Sequence, residues 1–358
     1  MDKELVTTYF INNLKNNKMR KFYSFCALAV MSAMLLSCSK DLAPVQADPQ
    51  DDVVSQAIAT KAYGSVSPKI AVYVETNDEN PLNAGDYYRA DGTALVDMVE
   101  LFAANLNKET VSGVVRPTLY LNDKLTNVLE NGGVATYVQP LQAKGIKVLL
   151  TVLGNHTGLG FGNMTSTQVD EFTDILAYAV TKYGLDGIGF DDEYADYNPV
   201  PSSSSTSFAD IITSLRSKLA TGKLITVFGY GDYISQINAT AGAAIDYAYT
   251  NFSFWNTSIS ISGVTYNRWA PSSYNLGNSY LQYYTSAIST YATQAKNNGY
   301  GAIMCFNLRR YSEVNPTPVF NAIASGAFST TVTRDNGDRA RDAGSVSGGY
   351  TITIDDVE

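Results

Sequence analysis

Residues 185–193 read L-D-G-I-G-F-D-D-E, and this run limits the possible folds more than any other in the chain. In an extended backbone successive side chains leave opposite faces. Ile188 and Phe190 then share one face, while Gly187, Gly189, Asp191 and Glu193 share the other. A helical pattern over 169–182 precedes the run, and Gly184 supplies the left-handed stop that such a helix end favours. In a parallel barrel, Ile188 and Phe190 would lie under helices and the opposite face would point inward, its last two positions reaching the mouth where such barrels place their chemistry. Two carboxylates held side by side cannot both ionise freely. One keeps its proton toward neutral pH, as a general acid must. The competing expectation is a solvated acidic turn after a buried strand.

The rest of the chain alternates strand and helix, which implies parallel strands. Strands are predicted at 69–75, 113–121, 146–153, 185–193, 223–229, 245–251, 263–270 and 301–307. Helices are predicted at 93–105, 134–144, 169–182, 207–220, 279–297 and 316–325. Continuous apolarity over 146–153 suits a strand covered on both faces. The expected fold class is therefore α/β, a single TIM-like (β/α)8 barrel over 68–328. The tail, 329–358, is polar with one terminal strand at 350–354, and its role is not legible.

At the other end, Lys15, Lys18, Arg20 and Lys21 precede an apolar run over 25–36 that ends in L-L-S-C. The run is too short to span a membrane as a helix. Leu35, Leu36, Ser37 and Cys38 resemble a bacterial lipobox, so 1–38 is expected to be a lipoprotein signal with Cys38 as the lipidated residue. That implies a lipid-anchored protein of a Gram-negative envelope, with 39–67 as a tether. Cys26 lies in the signal and Cys38 is the anchor, which leaves Cys305 alone and no internal disulfide. Set in G-A-I-M-C-F-N, Cys305 reads as a buried small hydrophobe.

A formal net charge of −9 argues against a nucleic-acid partner. The single histidine, His156, makes a Ser-His-Asp triad or a His-rich metal site improbable and suits a structural or substrate-side hydrogen bond. G-L-G-F-G lacks the strand-to-helix context of a dinucleotide site. No cofactor and no metal are expected, and carboxylate chemistry remains. The 25 tyrosines suit a surface that stacks rings on sugars, although a barrel also uses aromatics as packing.

The stretch over 183–197 resembles the active-site strand of glycoside hydrolase family 18, whose pattern D-G-x-D-x-D-x-E is matched by Asp186, Gly187, Asp191 and Glu193. Gly189 stands where the family has its first inner Asp. The continuation D-D-E-Y-A-D-Y, with 147–154 running into G-N-H-T-G-L-G-F-G-N, resembles the endo-β-N-acetylglucosaminidase branch. The resemblance implies hydrolysis of the N,N′-diacetylchitobiose core of N-linked glycans, or of another GlcNAc-containing oligosaccharide, by a monomer. It implies that no enzyme carboxylate attacks the sugar, an exception to the usual two-carboxylate schemes. Glu193 would protonate the leaving oxygen and then activate water, and Asp191 would orient the 2-acetamido group. A strand-six tyrosine bonds the acetamide in that family; Tyr249 is the best match, with Tyr247 and Asn251 competing. Asn155 and Asn307 are candidates for sugar hydroxyls or for loop backbone. Phe161, Tyr194, Tyr230, Trp255 and Trp269 are candidate stacking rings or loop packing. A chitinase-like hydrolase and a non-catalytic glycan-binding lipoprotein are the alternatives.

Overall fold

The computed structural model describes residues 68–199, 206–231, 233–308, 314–335 and 342–357. The predicted signal, Cys38 and the tether lie outside them. β1 (Lys69–Glu75) opens the barrel as predicted, and β2 (Tyr87–Arg89) is a short outlying strand. The next segment departs from expectation. The helix predicted over 93–105 is instead the strand β3 (Met98–Val111), and the predicted second barrel strand is β4 (Val114–Leu121), which runs back antiparallel along β3. M-V-E-L-F-A-A-N-L has helical composition. It is nevertheless captured as a strand by parallel pairing with β1 on one side and β5 (Lys147–Leu153) on the other, a case of tertiary contacts overriding local preference. Ser112 and Gly113 at the hairpin tip have φ of 52° and 81°, the two positive values a type I′ turn requires.

The barrel continues with β6 (Gly187–Asp192), β7 (Leu224–Gly231) and β8 (Tyr247–Thr250). The strand predicted over 263–270 is reduced to β9 (Trp269–Ala270), followed by β10 (Ser273–Asn275) and then β11 (Ala302–Phe306). β9 pairs with β8 and β10 with β11. The break falls at Pro271, which has no N–H to give to a ladder. Nine parallel strands in the order β10-β11-β1-β3-β5-β6-β7-β8-β9 thus form a nearly closed barrel. The tail supplies β12 (Val332–Arg334), antiparallel on β2, and β13 (Tyr350–Ile352), antiparallel on β4.

The helix Ser166–Lys182 starts three residues before its predicted position because Thr165 and Gln168 form a capping box, each side chain satisfying a backbone N–H of the first turn. Its apolar face covers the outside of the strands, where Ile188, Phe190, Val148 and Ile225 are buried. A separate cluster fills the inside of the barrel and includes Tyr73, Met98, Leu149, Phe228, Tyr247, Tyr249 and Met304. The predicted two-faced character of 185–193 is therefore realised. Cys305 is buried on the outer side, and desolvation pushes its thiol up.

Three aspartates close the N-terminal end of the barrel, each standing just before a strand. Asp97 accepts the N–H of Ile70 (2.9 Å), Asp186 that of Val148 (3.0 Å) and Asp246 that of Ile225 (2.8 Å), each reaching the neighbouring strand. Each also pairs with a cation, Lys69, Lys147 and Arg216 respectively. Asp186, the first acid of the sequence pattern, thus belongs to the end opposite the catalytic mouth, the end of such a barrel that serves stability. Asp186→Ala leaves a backbone N–H without its acceptor and is expected to cost about 2 kcal/mol of stability with kcat of the folded protein unchanged. Denaturant unfolding and turnover measured together check this; a lost kcat at unchanged stability would place Asp186 in the reaction.

Candidate active site

β6 delivers the two acids as its alternation requires. Asp191 is 3 % exposed and Glu193, just past the strand end, is half-buried. The intervening Asp192 turns away from the barrel interior, where its carboxylate accepts from the Tyr197 hydroxyl and from the Tyr233 N–H at 2.7 Å. Glu193 N–H bonds back to Asp191 C=O at 2.9 Å, a tight turn that ends the ladder. Burial, then the charges of Glu193 and Asp192, hold the Asp191 carboxyl well above the usual range. Glu193 is raised by burial first and by Asp192 second. Each acid therefore keeps its proton to higher pH than an isolated carboxyl would. One oxygen of Asp191, Oδ1, is buried without a hydrogen-bond partner among the described residues.

The Gly-rich loop after β5 is the brace for Glu193. Gly154 N–H bonds to Glu193 C=O (2.9 Å), His156 N–H to Tyr194 C=O (2.6 Å) and Gly158 N–H to Ala195 C=O (2.8 Å). A Cβ on Gly154 would lie 2.5 Å from Ala195 N, so only glycine lets the two backbones approach this closely. Further along the loop, a Cβ on Gly160 would meet the Tyr197 ring at 2.5 Å and one on Gly162 the Tyr233 side chain at 2.6 Å, so these two glycines make room for aromatic packing. His156 Nδ1 lies 2.8 Å from Asp196 Oδ2 at the exposed rim, with its ring 5.6 Å from Tyr194.

Beneath the acids lies a residue that the sequence did not single out. Glu100 projects from β3 into the barrel, wholly buried, and accepts from Thr226 Oγ1 (2.7 Å), Thr151 Oγ1 (2.9 Å) and Tyr249 OH (3.2 Å). Its carboxyl is raised by desolvation, an effect opposed by those three hydroxyls. Tyr73 of β1 stands edge-on to Tyr249 at 5.9 Å. The phenol of Tyr73 is raised well above its usual value by burial first and then by Glu100, Tyr249 and Asp191.

At the mouth of this barrel an Asp and a Glu two residues apart end one strand, an arrangement shared with known hydrolases. The chain is 35 % identical over 247 residues to the endo-β-N-acetylglucosaminidase of Flavobacterium sp. (strain SK1022), a match covering 67 % of this chain and 75 % of that protein. This chain belongs to the endo-β-N-acetylglucosaminidase family of glycoside hydrolases. Endo-β-N-acetylglucosaminidase F1 of Elizabethkingia meningoseptica is 33 % identical over 223 residues, 59 % of this chain and 64 % of that protein. The enzyme therefore spans just under two thirds of that second relative. EndoBT-3987 of Bacteroides thetaiotamicron, solved with Man9GlcNAc2Asn, superposes with a TM-score of 0.62 at 25 % identity, over 76 % of this chain and 68 % of that one. No protein-family model matches the chain.

In this endoglycosidase the other predicted residues are distributed unevenly. Tyr194 is 55 % exposed beside the acids: the charge on Glu193, then burial, then the charge on Asp191 hold its phenol up. Tyr230 joins Phe228, Phe252 and Phe306 in a run of ring contacts of 5.3 to 6.3 Å along one side of the mouth. Phe252 and Phe306 were not foreseen. Each follows or ends a barrel strand, a position that becomes visible only once the strand ends are fixed. Asn155 and Asn251 are half-buried just beyond β5 and β8, and Asn307 donates to Asn275 Oδ1 at 3.3 Å. Tyr249 and Tyr247 are buried in the barrel interior rather than at the rim, and the Tyr249 hydroxyl is engaged by Glu100.

Two stacking candidates are corrected by burial, and a third is covered on one face. Phe161 is 1 % exposed, packed among Phe172, Phe190 and Phe208, and has no face left for a sugar. Trp269 is wholly buried and donates from Nε1 to Asn256 C=O. Trp255 is half-buried with one face covered by Tyr291, the rings 5.2 Å apart and nearly parallel.

Proposed function

We propose that the enzyme cuts the N,N′-diacetylchitobiose core of N-linked glycans with the substrate's own acetamide as nucleophile. The observation that carries this reading is the buried, unpartnered Oδ1 of Asp191 beside Glu193. A buried acceptor without a donor costs free energy until a donor arrives, and the N–H of a 2-acetamido group supplies one. A carboxyl whose proton affinity is raised by burial and by a neighbouring acid makes a poor nucleophile, because the attacking form is the anion. The same group is well suited to receiving or sharing the amide proton while the acetamide oxygen closes on C1. Glu193 gives its proton to the departing glycosidic oxygen, which leaves with the protein-bound GlcNAc. A cyclic oxazolinium remains on the other sugar. Glu193, now a base, takes a proton from water as the water oxygen attacks C1 and the ring opens with net retention. Tyr194, Tyr230 and Phe252 offer ring faces at the mouth for the sugars on either side.

The deciding experiment is incubation with a glycoprotein carrying N-glycans and, separately, with chitin oligomers, followed by mass spectrometry. A single GlcNAc left on the protein supports the reading. Cleavage of chitin oligomers alone selects the chitinase-like alternative, and turnover of neither selects a binding protein.

We further propose that the mature protein is held at a membrane by acyl chains on Cys38, on the strength of the basic, apolar and L-L-S-C segments. Cys38→Ala is expected to move the protein from the detergent phase to the aqueous phase in a partition assay. A variant that still enters the detergent phase rules out Cys38 as the anchor.

A further inference from the structure

At position 189, β6 has no side chain, yet the space is occupied by a carboxylate. A Cβ at Gly189 would lie 2.5 Å from Glu100 Oε2, 2.8 Å from Thr226 Oγ1 and 2.9 Å from Thr151 Oγ1. Thr151 and Thr226 are the register partners of Gly189 on β5 and β7, so their hydroxyls flank this inward position from both sides. Both donate to Glu100, which reaches in from β3 across the intervening β5. Glutamate has one methylene more than aspartate, and that extra length suits an acid supplied from two strands away.

Packing alone gives no reason for this choice. A buried carboxylate is costly even when hydrogen-bonded, and an apolar side chain of similar volume is commonly as stable or more so. Glu100 instead organises the groups under Asp191. The Tyr249 hydroxyl donates to it, Tyr73 lies against Tyr249, and Tyr73 feels the charges of both Glu100 and Asp191. The titratable groups facing Glu100 are thus Tyr73 from β1 and Tyr249 from β8, with threonines from β5 and β7.

We propose that Glu100 is the inner carboxylate of this active site, supplied by β3 in place of a side chain at position 189, and that it positions Tyr249 and Tyr73 beneath Asp191. Glu100 is a positioning residue, and its assignment rests on Asp191 and Glu193 being the reacting pair. The consequence is that positions 100 and 189 are interchangeable sources of one charge but cannot both carry it.

A transposition tests this. Glu100→Ala is expected to lower kcat by at least about tenfold with a smaller change in KM. Gly189→Asp alone is expected to be worse, since two carboxyls would then be closer than contact. The double variant Glu100→Ala/Gly189→Asp is expected to recover about tenfold over Glu100→Ala. A double variant that melts cooperatively but is no more active than Glu100→Ala overturns the proposal. Where the double variant does not fold, Glu100→Gln decides. It keeps the size and one acceptor while removing the charge, so the basic limb of the kcat profile is expected to move to lower pH. A pH profile and kcat equal to wild type overturn the proposal. Both readouts are taken relative to wild-type turnover of an N-glycoprotein, so an inactive wild type would refute the reading of the reacting pair instead.

Discussion

Glu193→Gln is expected to lower kcat by about 10³-fold, the scale of removing a positioned general acid and base, while the glycan still binds. The amide keeps the shape and a hydrogen bond but has no proton to transfer to the leaving oxygen and no lone pair basic enough to activate water. Turnover of an N-glycoprotein, calorimetric binding of the free glycan and a melting curve separate the three possible losses: chemistry, binding and fold. A variant that folds and keeps more than about a tenth of wild-type kcat removes Glu193 from the acid role. The wild-type pH profile bears on the same assignment. Burial, and secondarily Asp192, raise the Glu193 carboxyl, so the acid form persists to higher pH than in a free glutamate. The basic limb of kcat/KM is expected above the ordinary carboxylate range, and a limb within that range would count against the buried geometry.

Asp191→Asn is expected to slow the reaction by at least about 10²-fold, the scale of losing one preorganised electrostatic partner of the transition state. A thiazoline that mimics the cyclised acetamide is expected to inhibit the wild type and to bind the variant more weakly, because its positive charge is presented to Asp191. A glycosyl ester trapped on Asp191, or turnover of a substrate lacking the 2-acetamido group, would instead show a nucleophilic carboxylate. Stability is expected to change in the opposite direction to activity. The folded-state pKa of Asp191 is raised, by burial first and by Glu193 and Asp192 next, so its favourable contribution is complete below the ordinary aspartate value and is lost as pH rises through the raised one. Asparagine does not titrate. The variant is therefore expected to melt higher than wild type at neutral pH and above, with the gap closing in acid. Equal melting temperatures across that range would mean that Asp191 carries no such burden.

Burying three acids within one barrel is costly, and the bonds around them show how the fold sustains it. Asp192 is satisfied by Tyr197 and Tyr233, and Glu100 by three hydroxyls. Of these three acids, Asp191 retains a buried oxygen without a partner among the described residues. A buried polar group left unsatisfied is where binding energy is gained when substrate arrives, and Asp191 Oδ1 lies where the proposed chemistry needs an acceptor.

The local sequence determined everything that depends on period and punctuation. The alternation over 185–193 set Asp191 and Glu193 inward and Ile188 and Phe190 outward, because side-chain direction in a strand is a property of the backbone. Helix 166–182 was legible from its pattern, and its true start at the Thr165 capping box was written in the sequence though read three residues late. The tertiary structure decided whatever depends on which distant segment lies alongside. Met98–Val111 is a strand because β1 and β5 offer it partners, not because its composition asks for one. Phe161 is core and Phe252 mouth, since burial follows from how loops fold over strand ends rather than from residue type. Gly189 read as a missing acid because the replacement comes from elsewhere in the chain. Glu100 meets Thr226 from 126 residues away and Tyr249 from 149, and no periodicity within a single strand or helix can register a contact made across a barrel.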